Sequence, residues 1–250
     1  MKKYNNGQFA NRLKYPTVMD WYPSDSLERF RELSKEHQDY WNSLPPIKYH
    51  LNTYHFRSPE FPEVETRDSI TFLGCSQTFG IGLHKDKTWA SLVAEHFNLP
   101  EINLSVPGGS LDSAFRVYNE WQPIHKSKIT CLLLPPDNRF ESRDYTNKEG
   151  VYKWKNMGWW SVESERKNIS DDAKEFILHM LSPEVQEVRK DRNLAAIKYI
   201  AQENESKLII LPWTTGFIGP ADFARDNSHG GFEWNRAMAD DFIGKINEYI

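Results

Sequence analysis

The chain has 250 residues, 31 Lys and Arg against 35 Asp and Glu for a formal net charge of -4, 39% apolar residues and 2 cysteines. That length buries a core without disulfides or metal staples, and the lack of any basic run longer than Lys2-Lys3 argues against a surface that tracks nucleic-acid phosphates. No stretch approaches the roughly 18 apolar residues of a membrane span and no signal-peptide core opens the chain, so a soluble protein of a reducing, cytoplasmic compartment is expected.

Residues 1–67 carry one helix-like stripe (Leu27, Phe30, Leu33, Tyr40, Trp41) and then a Pro-rich, aromatic extended stretch. They read as an N-terminal extension packed on a core that begins at about residue 68. From there short β-like runs alternate with helical patterns, the signature of a parallel sheet covered by helices. The first run, 69–74, is apolar and stops at Gly74. Thr88 then caps a helix whose stripe is Trp89, Leu92, Val93 and Phe97. The second run, 102–106, ends in Pro107-Gly108-Gly109, and Ser110 caps a helix with Leu111, Ala114, Phe115 and Tyr118 on one face.

The third run, 129–134, is almost wholly apolar, as a strand buried on both faces should be, and stops at Pro135-Pro136. It is the expected centre of the sheet. Residues 140–169 read as a long irregular insertion rich in aromatics (Tyr145, Tyr152, Trp154, Trp159, Trp160); structureless loops of that length are uncommon unless functional, and the two readings are a lid or recognition loop and, slightly favoured, a segment that simply packs over the helical layer. Ser170 with Asp171 and Asp172 opens the next helix, Ser182-Pro183 punctuates it, and a second helix runs to about residue 205. The fourth strand is 208–211. Trp234, Met238, Phe242, Ile246 and Tyr249 mark a C-terminal amphipathic helix.

In an open parallel sheet, ligands bind beyond the carboxyl ends of the strands. Four segments follow those ends: Gly74-Cys75-Ser76-Gln77-Thr78, then Pro107-Gly108-Gly109-Ser110, then Pro135-Pro136-Asp137-Asn138, and Asp226-Asn227-Ser228-His229. A serine, a glycine turn with free N–H groups, an amide and an Asp/His pair thus gather on one edge, which are the parts of an acyl-transfer site. A serine hydroxyl attacks only once a base takes its proton, and a neutral imidazole suits that task. Ser76 is the candidate nucleophile, His229 the base and Asp226 its orienting partner. The backbone N–H groups of Ser76 and Gly108 and the amide of Asn138 are the candidate oxyanion donors.

These blocks, in this order and on these elements, resemble those of the SGNH (GDSL-type) hydrolases, over about residues 69–250. The resemblance implies a flavodoxin-like three-layer α/β/α sandwich with a mostly parallel central sheet. It also implies esterase, lipase, thioesterase or carbohydrate-deacetylase activity without a cofactor or metal. Position by position it makes Ser76 the nucleophile, Gly108 and Asn138 oxyanion donors, and Asp226 and His229 the rest of a triad. Asn52-Thr53-Tyr54-His55-Phe56-Arg57 also resembles a segment preceding the serine block in some members, where a glycine is more usual at the position of His55.

Two blocks depart from the pattern. The family's Gly-Asp-Ser is Gly74-Cys75-Ser76 here. Its Gly-x-Asn-Asp falls on Pro135-Pro136-Asp137-Asn138, so either the turn is re-registered to present Asn138 or the oxyanion hole has two donors. The expected substrate is an acyl ester of a small molecule or carbohydrate, with Trp213, Trp159 and Trp160 as candidate pocket walls. An O-acyltransferase using the same site, and a non-catalytic module on a hydrolase scaffold, are the alternatives.

Overall fold

Strands buried on both faces decide this architecture. The computed structural model describes residues 17–62, 64–144, 153–163, 170–213 and 222–249. In chain order the elements are β1 (Val18–Met19), α1 (Leu27–Arg31), α2 (Lys35–Ser43), β2 (Tyr49–His50), β3 (Ile70–Leu73), α3 (Ser76–Phe79), α4 (Trp89–His96), β4 (Glu101–Asn103), α5 (Leu111–His125), β5 (Ile129–Leu134), β6 (Arg139–Asp144), β7 (Lys153–Gly158), α6 (Trp160–Glu163), α7 (Asp171–Met180), α8 (Pro183–Glu203), β8 (Lys207–Pro212) and α9 (Phe232–Asn247).

The main sheet has the order β4-β3-β5-β8 and every pairing in it is parallel. Counting its own strands, that order is 2-1-3-4, the doubly wound arrangement whose switch point lies between the first and third strands, here β3 and β5. Alternate residues of each strand serve opposite layers. Leu73, Leu132, Leu208 and Ile210 pack with Val117, Trp121, Ile197 and Ile200 of α5 and α8. On the other face Ile70, Phe72, Cys131, Leu133 and Ile209 meet Trp89, Val93, Met238 and Phe242 of α4 and α9. Burying each such side chain is worth about 1.5–3 kcal/mol, so the two clusters together fix the three-layer sandwich.

The helix starts follow their caps. Thr88 Oγ1 accepts from Ser91 N, Ser110 and Ser113 form a reciprocal box at the start of α5, and Ser170 caps α7. The stripe predicted as one N-terminal helix is two, because Ser34 Oγ accepts from His37 N and starts α2 afresh. Tyr22, Phe30, Trp41, Ile47, Tyr49 and Leu51 of this region pack with Phe79, Ile81, Leu83 and Ala224.

The reading of 140–169 as irregular is corrected: β6 and β7 pair antiparallel from Arg139↔Gly158 to Asp144↔Lys153. Polar residues hid the strand alternation. Phe140 turns into a small cluster with Ile177 and Leu181, while Glu141 turns to a buried ion pair with Arg116 at 2.7 Å. Tyr145 and Tyr152 lie outside the described residues.

Candidate active site

At the switch point, β3 leads through Gly74 and Cys75 into α3, whose first residue is Ser76. A Cβ on Gly74 would fall 2.1 Å from Thr78 Oγ1, so only glycine lets the chain fold back this tightly. Ser76 is 9% exposed. Its carbonyl accepts from Gly80 N and Ile81 N, at 3.0 and 3.2 Å, and its own N–H opens the helix without an intrahelical acceptor.

The second half of the site is the turn from Asp222 to Gly231, closed by Ala224 N to His229 O at 2.9 Å and Gly231 N to Asp222 O at 3.0 Å. Within it Asp226 Oδ1 accepts from Ser228 N and His229 N, both at 3.2 Å, and Asp226 Oδ2 accepts from His229 Nδ1 at 2.6 Å. A carboxylate only accepts, so Nδ1 carries the proton and the Nε2 lone pair is left to act as a base. The Asp226 side chain is 2% exposed and the His229 ring 15%.

The two halves meet. Gly230 N donates to Gln77 Oε1 at 3.2 Å, joining the residue after His229 to the residue after Ser76. Arg225 N donates to Gly82 O at 3.0 Å. Gly82, at φ +73, leaves room where a Cβ would press on Ala224 Cβ and on the backbone nitrogens of Arg225 and Asp226. No hydrogen bond joins Ser76 Oγ to the His229 ring among the described residues.

The chain beyond β4 keeps pairing with β3, with Leu104 N to Phe72 O at 2.9 Å and Val106 N to Gly74 O at 3.1 Å. That pairing carries Pro107-Gly108 to the edge where Ser76 sits. Gly108 takes φ +69, and Gly109 N closes the turn on Val106 O at 2.8 Å. Asn156 of β7 holds this turn from outside: its Nδ2 donates to Pro107 O at 3.1 Å and its Oδ1 accepts from Ser113 Oγ at 3.0 Å.

Asn138 is exposed and makes no hydrogen bond among the described residues. The neighbouring Asp137 carboxylate pairs with Lys190 Nζ of α8 at 2.9 Å. Trp159, Trp160 and Trp213 are 43, 40 and 37% exposed. Trp160 closes over Gly158 beneath the Arg139 guanidinium, 5.3 Å from its ring centre, and Trp213 follows the carboxyl end of β8. Among the described residues no group of three or more His, Cys, Asp or Glu gathers to ligate a metal. Sequence reading assigned no role to Gln77, Gly82 or Asn156. Gln77 and Gly82 had their nearness to Ser76 as a signal, whereas nothing in the sequence marks Asn156.

No family model matches the chain, and no curated protein matches it. Similar solved structures include the psychrotrophic esterase EstA from Pseudoalteromonas sp., 11% identical over 73% of this chain and 98% of that one, with a TM-score of 0.40. A catalytic mutant of Axe2, an acetylxylan esterase from Geobacillus stearothermophilus, is 13% identical over 74% of this chain and 96% of its own, at TM-score 0.36. A GDSL-like lipase from Bacteroides thetaiotaomicron is 12% identical over 73% of this chain and 63% of its own, at TM-score 0.28.

Proposed function

We propose that the chain is a serine ester hydrolase. The observation that carries this reading is the 2.6 Å bond between His229 Nδ1 and Asp226, on a turn that is itself hydrogen-bonded to the residue after Ser76. Ser76 Oγ attacks the acyl carbonyl as its proton passes to His229 Nε2. The new oxyanion is met by the N–H groups of Ser76 and Gly108, with Asn138 as the third donor. Each such donor is worth about a hundredfold to a thousandfold in rate. His229 then gives its proton to the leaving alcohol as the ester C–O bond breaks. Water, deprotonated by the same nitrogen, clears the acyl-enzyme. Asp226 holds the imidazole in the needed tautomer and stabilises the imidazolium.

The reaction does not need a hydrogen bond between Ser76 Oγ and the ring before substrate binds, since catalytic hydrogen bonds in unliganded sites often tighten only with substrate present. The acyl group is carried on a small molecule or a carbohydrate, with Trp159, Trp160 and Trp213 as rim residues. Residues 68–250 form the hydrolase domain, with 1–67 as an extension and 140–169 as an insertion. A fluorophosphonate probe should label the wild-type protein and not Ser76→Ala; equal labelling of the variant would remove Ser76 from its role.

A further inference from the structure

Residue 225 is held at its backbone N–H, its carbonyl and two nitrogens of its guanidinium, and it stands directly before Asp226. Its side chain forms a two-pronged ion pair with Asp25 of the N-terminal region, with Nε 3.1 Å from Oδ1 and Nη2 2.5 Å from Oδ2. The same Nη2 donates to Asp20 O at 2.8 Å, and the Trp21 ring lies 3.9 Å from the guanidinium carbon. Arg225 N donates to Gly82 O, and Arg225 O accepts from His37 Nε2 at 3.0 Å. Tyr49 closes the loop of bonds: its hydroxyl donates to Asp25 Oδ2 at 2.5 Å and accepts from Gly82 N at 2.7 Å. The result is a ring running Gly82, Tyr49, Asp25, Arg225 and back to Gly82. Both charged side chains are buried, at 0% exposure for Asp25 and 8% for Arg225.

A buried ion pair is weak evidence of stability, because desolvation offsets its attraction. Its best-attested use is to fix one register against others. Here the alternatives are well defined. A one-residue slip of the 222–231 turn would carry Arg225 off Asp25 and leave two buried charges unpaired. Successive Cα atoms lie about 3.8 Å apart across a trans peptide, so holding Arg225 at its N–H, its carbonyl and its side chain also holds the start of Asp226. The other end of the ring is Gly82, the last residue of the serine loop, residues 74–82.

We infer that the Asp25–Tyr49–Gly82–Arg225 ring sets the position of the Asp226–His229 turn against the serine loop. Asp25 and Tyr49 of the N-terminal region are then positioning residues for acyl transfer. The inference rests on the hydrolase reading above for its kinetic consequence, but not for its structural one.

The test is Tyr49→Phe in the full chain, which removes one hydroxyl and breaks the ring at two bonds. Three measurements are made: melting temperature, kcat and KM on a nitrophenyl acyl ester, and the downfield proton resonance of His229 Nδ1, assigned by its loss in His229→Asn. The expected result is a folded protein with kcat reduced at least tenfold, KM within twofold, and the Nδ1 proton shifted upfield or broadened. A folded Tyr49→Phe with kcat within twofold of wild type and an unmoved Nδ1 resonance would overturn the inference. Should that variant fail to fold, Arg225→Lys, which keeps the charge but loses the fork, carries the same readouts and the same criteria. A wild-type protein that neither turns over esters nor takes a fluorophosphonate sinks the hydrolase reading alone. The Nδ1 resonance then still decides whether the ring positions the turn.

Discussion

Replacing Gly82 by alanine tests how closely the two halves of the site are fitted. At φ +73 an alanine is held in the left-handed region, which costs about 1–2 kcal/mol. Its Cβ would also lie 2.9 Å from Ala224 Cβ, 2.9 Å from Arg225 N and 3.1 Å from Asp226 N, about half an ångström inside ordinary contact. Those neighbours are backbone or a buried methyl group and cannot swing aside, so overpacking adds about 1–2 kcal/mol. The sum is about 3 kcal/mol, or a fall of roughly 6–12 °C in melting temperature for a chain of this size. The strain is relieved by pushing the Asp226 turn away from the serine loop. Since a 1 Å misplacement can cost about a hundredfold, a half-ångström shift should lower kcat on a nitrophenyl ester by about tenfold. Calorimetry and steady-state kinetics on Gly82→Ala measure both. A variant that melts early but keeps wild-type kcat would show that the turn does not depend on this contact. One that melts as wild type would refute the packing itself.

Asn138→Ala should leave the melting temperature unchanged, because the side chain is exposed, and lower kcat by about a hundredfold. An unchanged kcat would mean an oxyanion hole of two backbone donors. Asn156→Ala removes the bonds to Pro107 O and Ser113 Oγ and should cost about 1–3 kcal/mol in urea unfolding, with kcat lowered several-fold through the Gly108 turn. Stability lost with kcat intact would place the setting of that turn in the α5 cap alone. Burial, aided by Arg57 and Arg225 against Asp86, holds the His84 pKa below its ordinary value, and its Nε2 is buried without a partner among the described residues. The folded protein therefore takes up this proton later than the unfolded chain does. The stability tied to neutral His84 is fully present above about pH 6.5 and is lost progressively as pH falls from there through the lower folded-state pKa. Melting of wild type should accordingly drop more steeply than that of His84→Gln on going from pH 7 to pH 5. Parallel curves would contradict this assignment.

The sheet was legible because its strands are unmixed. Runs such as 129–134 are almost wholly apolar, and three of the helices open on the serine or threonine expected to cap them, at Thr88, Ser110 and Ser170. The Asp226–His229 pair was legible because three residues is the span of one turn. The hairpin was not, since only Phe140 among the residues of β6 is a buried apolar one and the partner that stabilises Glu141 lies 25 positions away at Arg116. Nor was the ring through Arg225, whose members are spread from Asp25 to residue 225 and meet only in the folded chain. His55 falls between these cases. A glycine is more usual at that position in the segment this stretch resembles, and His55 sits at φ +62, in a turn that Asn52 Oδ1 stitches by accepting from Tyr54 N and Phe56 N.

That same turn bears on the departure at Cys75. As the N-cap of α3 it contributes no side-chain hydrogen bond, where an aspartate would accept from the free N–H groups of the first turn. The helix is held instead from its other end. Arg57, two residues past His55, is 1% exposed, and its guanidinium donates to Gly80 O at 2.5 Å, Phe79 O at 3.3 Å and Leu83 O at 2.7 Å. It lies 4.5 Å from the centre of the Tyr49 ring. A cation on the carbonyl end of a short helix has the favourable sign and satisfies acceptors that no helical N–H reaches. The serine loop is thus fixed by Arg57, the histidine turn by Asp25 and Tyr49, and the Gly108 turn by Asn156. The parallel strands determine where the loops begin, and segments outside the main sheet determine where they end. In the proposed reaction, the geometry of Ser76, Gly108 and His229 accordingly depends on residues 17–62 and on the β6–β7 hairpin as well as on the strand-end segments that bear those residues.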